Sequence, residues 1–269
     1  MPAHDDRAAA SGHAAYDHAA SFGHHAEAYA RHRPTYPAAL FDWLAELAPS
    51  RRLAIDVASG AGQAALALAA RFDRVVATDR SAELLATIPA HPHLTTRTQP
   101  AEALDVGEPA DLVVTAQALH WFAEEPFWSR VRAALRPGGG GPGGVFAAFG
   151  YADFTISPRI DAVLAPLHAA LEPHWSPRNR LLLDGYRSIA IPFEELPAPA
   201  FTIRIEWSRA ELLAYLGTWS AVTALRTQGH DVLGALAPTL AAVWPDDEVR
   251  VVEMPLAVRA FHVGSAHVG

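Results

Sequence analysis

Asp56, the turn Ser59-Gly60-Ala61-Gly62 and Asp79 have types and spacings suited to holding a nucleotide. The glycines lie between an apolar run, Leu53 to Val57, and the helix-forming run Gln63 to Ala70. Glycine lets a ligand approach the backbone of such a turn, and the helix beyond it aims unpaired N–H groups and partial positive charge at the ligand. The position three residues after Gly62 is Ala65, which the dinucleotide fingerprint tolerates in place of a third glycine. Asp79 ends a second apolar run and stands 19 residues beyond Gly60. That is close to the ~20-residue interval at which an acid meets ribose hydroxyls.

Two further stations carry chemistry. Ala101-Glu102 follows a third β-branched run, and Gln117-Ala-Leu-His120-Trp121-Phe122 follows a fourth, continuously apolar one. An imidazole with an ordinary pKa near ~6.5 can take a proton from a hydroxyl or an ammonium, so His120 is the candidate general base. Trp121 and Phe122 are candidate walls of the substrate pocket. Beyond residue 150, Trp175, Tyr186 and the arginines Arg178, Arg180 and Arg187 are available to a substrate. Trp219 and Ser220 read as packing or pocket residues.

The elements that must position these groups alternate between strand and helix. Strands are expected at 53–58, 75–79, 93–98, 111–116 and 145–149, with helices at 38–47, from 63, from Ala82 under a Ser81 cap, and at 125–135. Such alternation argues for a parallel, doubly wound sheet with right-handed crossovers. From Tyr151 the rhythm breaks into a Pro-, Trp- and Arg-rich stretch with a helix at 160–171, expected to cap the strand tips. A strand at 201–207, helices at 210–216 and 232–243, and strands at 249–252 and 256–263 suggest antiparallel closure of the sheet edge. The organisation expected is a disordered tail at 1–20, a core with an N-terminal lid at 21–150, a substrate cap at 151–200, and completion of the sheet at 201–269.

Composition narrows the function. The 269 residues carry a net charge of −8, which offers no basic footprint for nucleic acid. There is no cysteine, which excludes disulfides and thiolate metal sites, and no lysine, which excludes Schiff-base chemistry and a P-loop lysine. No apolar run approaches the ~20 residues that cross a bilayer, and no signal peptide opens the chain, so a cytoplasmic protein without a membrane partner is expected. The histidines His4, His13, His18, His24 and His25 are irregularly spaced in a low-complexity segment and read as a solvated tail; no metal is expected.

Taken in order, Tyr29…Arg33-Pro34-Thr-Tyr36-Pro37, Asp56-Val-Ala58-Ser59-Gly60-Ala-Gly62-Gln63, Asp79-Arg80-Ser81, Ala101-Glu102, Gln117-Ala-Leu-His120-Trp121-Phe122, Leu135-Arg-Pro-Gly-Gly139 and Thr218-Trp219-Ser220 carry a resemblance. The chain resembles class I S-adenosylmethionine-dependent methyltransferases, and among them the small-molecule branch that includes the trans-aconitate methyltransferases, over about residues 22–263. The resemblance implies a Rossmann-like, mostly parallel seven-stranded sheet with an antiparallel edge strand and a helical cap insertion. It implies S-adenosyl-L-methionine as cofactor and a small-molecule acceptor, with the protein a monomer or homodimer.

The same resemblance implies roles. The backbone from Ala58 through Ser59 and Gly60 to Gly62 lies against the methionine part of the cofactor, with Asp56 and Gln63 also counted as cofactor-binding; Asp79 holds the ribose; Arg80, Ser81, Ala101 and Glu102 border the adenine. Gln117 lines the sulfonium end, and Tyr29 and Arg33 close over the site. In one respect the sequence departs from the family pattern: Ala58 stands where a first glycine is usual. Its methyl is tolerable if φ is negative there, the cost arising where a side chain is forced to positive φ. An NAD-dependent oxidoreductase remains an alternative, since the turn and Asp79 would serve it equally well. A non-catalytic binding module that keeps the cofactor fold remains another.

Overall fold

The computed structural model describes residues 33–138 and 143–264. The N-terminal tail, its histidines and Tyr29 lie outside the described residues.

After α1 (Ala38–Leu47) the chain alternates β1 (Ala54–Val57), α2 (Gln63–Ala69), β2 (Val75–Asp79), α3 (Ala82–Ala86), β3 (Leu94–Thr98) and β4 (Leu112–Ala116). Then come α4 (Glu125–Ala134), β5 (Val145–Tyr151), α5 (Pro158–Leu171) and α6 (Asn179–Leu183). The remainder is β6 (Glu194–Leu196), β7 (Thr202–Ser208), α7 (Arg209–Leu216), α8 (Ser220–Thr227), α9 (Val232–Ala241) and β8 (Val249–His262). The main path of the sheet runs β3-β2-β1-β4-β5-β8-β6, with β7 paired to β8 off that path. β1 to β5 are mutually parallel, while β8 runs antiparallel to β5, as the sequence reading expected of the edge.

β1, β2 and β5 are buried along their whole length because helices cover both faces, which is why they read as unbroken apolar runs rather than alternating ones. Leu40, Phe41, Leu44 and Leu68 from α1 and α2 pack on one face; Phe127, Trp128 and Val131 from α4 pack on the other. β1 lies between β2 and β4, where the winding reverses. In an open α/β sheet the crevice for a ligand opens beyond the strand C-termini at that point.

Three features differ from the sequence reading. The two terminal strands are one 14-residue strand: its second half pairs with β5 in the main sheet, and its first half forms a ribbon with β7. β6 and the helices α6 and α8, three, five and eight residues long, were not anticipated. A third core gathers Leu164 and Leu167 of α5 with Trp207, Tyr215, Trp219, Leu240 and Trp244, so helices from both sides of residue 200 share one body of packing. Serines close three helix N-termini, Ser81 at α3, Ser157 at α5 and Ser208 at α7, the last in a reciprocal capping box with Glu211. Among the described residues no helix is long and apolar enough to cross a membrane.

Candidate active site

The glycine-rich turn is held from below and from the side. Asp56 is completely buried at the end of β1; Ser59 Oγ donates to its Oδ2 at 2.7 Å, and Thr78 Oγ1 donates to its backbone carbonyl at 3.3 Å. Burial pushes the Asp56 carboxyl up to about 7, with the Asp79 charge adding to the rise and the Ser59 and Ala65 hydrogen bonds opposing it. Asp56 therefore supports the turn and does not line the cavity above it. Gly62 supports it too. Its φ of 81° is left-handed, and a Cβ there would fall 2.8 Å from Ile88.

Ala58 also takes a left-handed φ, 56°, so the methyl sits in strained backbone and the tolerable case of negative φ does not apply. Gly60 has the same φ, but a side chain starting there would meet nothing within 4 Å. That space is the mouth of a cavity of about 280 Å3, close to the lower end of the ~300–1,000 Å3 typical of small-molecule sites.

Asp79, at the tip of β2, reaches this cavity and ties its rim together. Oδ2 accepts from the Gly60 N–H at 2.9 Å, and Oδ1 accepts from the Ser81 N–H at 2.9 Å. Arg33, Ala58, Ser59, Gly60, Gln63, Arg80, Ser81, Ala101, Glu102 and Gln117 line the same cavity, and so do Trp121 and Phe122, which were expected as walls of the substrate pocket; Phe122 lines this cavity and not the second one described below. The structure thus brings together most of the residues singled out as binding a cofactor. Asp56 and Gly62 lie beneath it, and Tyr29 is not described. Tyr36, Leu84 and Tyr151, which sequence reasoning missed, also line it, together with Gln99 and Pro100, which lead into the Ala101-Glu102 station. Gln99 and Pro100 had a legible signal, since they bridge the tip of β3 and Ala101.

A second cavity of about 150 Å3 adjoins the first. Arg33, Gln117, Trp121 and Tyr151 line both, and His120, Trp175, Asn179, Tyr215, Trp219 and Ser220 belong to the second alone. Gln117 sits at the seam in a left-handed conformation, φ 58°. Its backbone N–H donates to Phe149 O and its side-chain Nε2 to Tyr151 O, both at 2.9 Å. Gly150 makes room for it, because a Cβ there would come 2.8 Å from Gln117 Oε1. Strain of this kind persists only where its surroundings enforce it, and it concentrates at working sites. Arg33 crosses the same seam, its Nη1 donating to Tyr151 Oη at 3.4 Å and its guanidinium lying 5.9 Å from the Tyr215 ring centre.

His120 is 5% exposed on a single 3-10 turn after β4. Burial, with the Arg178 charge adding to it, drives its pKa down to about 4. It is therefore a neutral imidazole at physiological pH, not the group titrating near ~6.5 that the sequence reading assumed. Tyr186 corrects a second expectation. It is completely buried, lines neither cavity, and stands behind His120 with its hydroxyl 3.5 Å from Nδ1.

The cap arginines are also committed to protein partners. Arg178 donates to Trp121 O at 2.6 Å and pairs with Glu124 at 3.2 Å; Arg180 pairs with Glu172 at 2.8 Å; Arg187 donates to Asp184 O at 2.7 Å. These side chains bolt the cap to itself and to the turn at residues 119–121.

Comparison with known proteins accords with this geometry. A family model described as a methyltransferase domain matches residues 54–139, from β1 through the loop after α4. A solved structure from Anaeromyxobacter dehalogenans, described as a candidate type II methyltransferase, is 42% identical with a TM-score of 0.78, covering 86% of this chain and 98% of that one. A candidate methyltransferase of Dictyostelium discoideum is 27% identical over 226 residues, 81% of this chain and 84% of that protein. An uncharacterized methyltransferase of Mycobacterium tuberculosis is 35% identical over 125 residues, 46% of this chain and 51% of that protein.

Proposed function

This chain belongs to the class I S-adenosylmethionine-dependent methyltransferases, with S-adenosylmethionine as its methyl donor, and we propose that it methylates a small-molecule acceptor, a carboxylate or a hydroxyl, seated in the smaller cavity. The observation that carries this reading is the meeting of two cavities at Gln117, Trp121, Tyr151 and Arg33. A two-substrate transfer needs one site for the donor, one for the acceptor, and a passage where the reacting atoms face each other.

The residues present fit the cofactor. Gly60 opens onto unfilled space, and the Asp79 carboxylate keeps lone pairs for hydroxyl donors beyond its two backbone bonds. In the proposed assignment Asp79 holds the ribose, while Arg80, Ser81, Ala101 and Glu102 border the adenine. Ala58 to Gln63 and Arg33 hold the methionyl end, where a guanidinium meets a carboxylate in a charge-assisted pair. When bound, the cofactor supplies a methyl group on a cationic sulfur, an electrophile that asks for positioning more than activation. Gln117 fixes the passage, and Trp121 and Tyr151 exclude water from it. His120, on the acceptor side, is placed to take a proton where the acceptor carries one.

Calorimetric titration with S-adenosylmethionine, its demethylated product and NAD tests the assignment. Binding of the first two and not the third is expected. Binding of NAD alone would overturn it in favour of an oxidoreductase, and binding of none in favour of a non-catalytic module.

A further inference from the structure

The walls of the smaller cavity say more about its occupant than its position does. They are aromatic: Trp121, Tyr151, Trp175, Tyr215 and Trp219 all face it. Trp219 is braced by Trp175, with ring centres 5.4 Å apart, and by Tyr215 at 5.7 Å and nearly perpendicular. Such rings present flat apolar faces with negative electrostatic character, which attract a planar ring and repel an anion. Arg178, Arg180 and Arg187 are turned to carbonyls and to Glu124 and Glu172, and Arg33, which lines the chamber, donates to Tyr151 Oη and is assigned above to the cofactor's carboxylate instead of the acceptor's. A cation is disfavoured as well, since the Arg33 guanidinium already lies against the Tyr215 ring on the same wall.

The polar atoms point to a hydrogen donor. Asn179 lines the chamber, and its Oδ1 is shielded from solvent with no hydrogen-bond partner among the described residues. His120 is neutral, and if its hydrogen lies on Nδ1, donating to Tyr186, the lone pair of Nε2 is left to accept. A carboxylate has no hydrogen for Asn179 Oδ1, nor for Nε2 in that tautomer, whereas a hydroxyl does. An unmatched buried acceptor costs its full desolvation, so this pair discriminates.

We infer that the chamber takes a small, uncharged aromatic acceptor whose ring hydroxyl is the methylated group, the ring lying against Trp175, Trp219 and Tyr215 and the hydroxyl against His120 and Asn179. The inference rests on the methyltransferase assignment above and narrows its acceptor. In the transfer the hydroxyl oxygen bonds the methyl carbon as the carbon–sulfur bond breaks, its electron pair staying with sulfur. The hydroxyl proton passes to His120 Nε2 and from there to water. A weakly basic imidazole suffices, because the proton becomes strongly acidic as the oxygen is alkylated.

The test uses the full chain with one-ring probes matched in size: phenol and catechol, benzoate, and benzylamine. Titration of each into protein saturated with the demethylated cofactor should show the phenols binding at least tenfold more tightly than benzoate or benzylamine. Labelled methyl should reach the phenolic oxygen. Trp175→Ala, at a half-buried position, should weaken phenol binding about three- to tenfold. Asn179→Ala should weaken it without lowering affinity for the cofactor. Preference for benzoate or benzylamine, or no binding of either phenol by protein that binds the cofactor, overturns the inference and leaves the methyltransferase assignment standing. Failure of the protein to bind the cofactor at all defeats that assignment instead.

Discussion

Replacing Asp79 by alanine removes two different things, and the structure lets them be separated. In the protein alone, the carboxylate accepts from Gly60 and Ser81 at 2.9 Å each, and the residue is 8% exposed. Leaving those two N–H groups without an acceptor costs ~1–3 kcal/mol apiece where they stay dry. Water in the adjoining cavity can replace part of the loss, so a destabilisation of about 2 kcal/mol is expected. That corresponds to roughly 4–8 °C in melting temperature for a chain of this size. With cofactor present, two ribose hydroxyls lose a charged acceptor worth about 1.5–3 kcal/mol each, so Kd should rise by about two to four orders of magnitude. Thermal denaturation reads the first quantity and calorimetric titration the second. Asp79→Asn, whose amide retains one acceptor oxygen, should recover part of the stability but little of the affinity. An alanine variant with wild-type affinity would refute the ribose role whatever its melting temperature. One with a wild-type melting temperature would refute the claim that Asp79 ties the turn together.

Ala58→Gly should raise stability by about 0.5–1 kcal/mol, because the relief of left-handed strain exceeds the entropy glycine adds to the unfolded chain; a lowered melting temperature would contradict the strain. Asp56→Asn tests the raised carboxyl pKa through pH. A group held at about 7 in the fold against 3.8 in the unfolded chain contributes stability below 3.8, and that contribution is lost as pH rises through 7, worth roughly 4 kcal/mol when complete. The advantage of the Asn variant over wild type should therefore grow between pH 4 and pH 8 in urea titrations, and a flat difference would refute it. Gly150→Ala displaces the ends of Gln117 and Leu182, which are flexible, so it should change the melting temperature by only a few degrees. Because it misplaces the group at the seam it should cut turnover by at least about tenfold, and unchanged turnover would remove Gln117 from the passage.

The stretch from Leu53 to Ala70 was legible because strand, turn and helix each announce themselves locally, by apolar continuity, glycine and helix-forming residues. The same holds for Asp79, Ala101-Glu102 and Gln117, since a parallel sheet delivers every strand tip to one edge whatever lies elsewhere. The sequence by itself therefore determined the winding of the core and most of the lining of the larger cavity. What it left open was decided by contacts between distant residues. Ala58 and Gln117 take positive φ because the surrounding strands and loops hold them there, and neither residue type carries that signal. Arg178 looks like a ligand for an anionic substrate until Trp121, 57 residues away in sequence, presents its carbonyl. His120 loses its basicity, and Tyr186 its place in the pocket, because the cap buries both. Burial, charge pairing and backbone strain depend on what the whole chain brings alongside a residue, so only the tertiary structure could assign them.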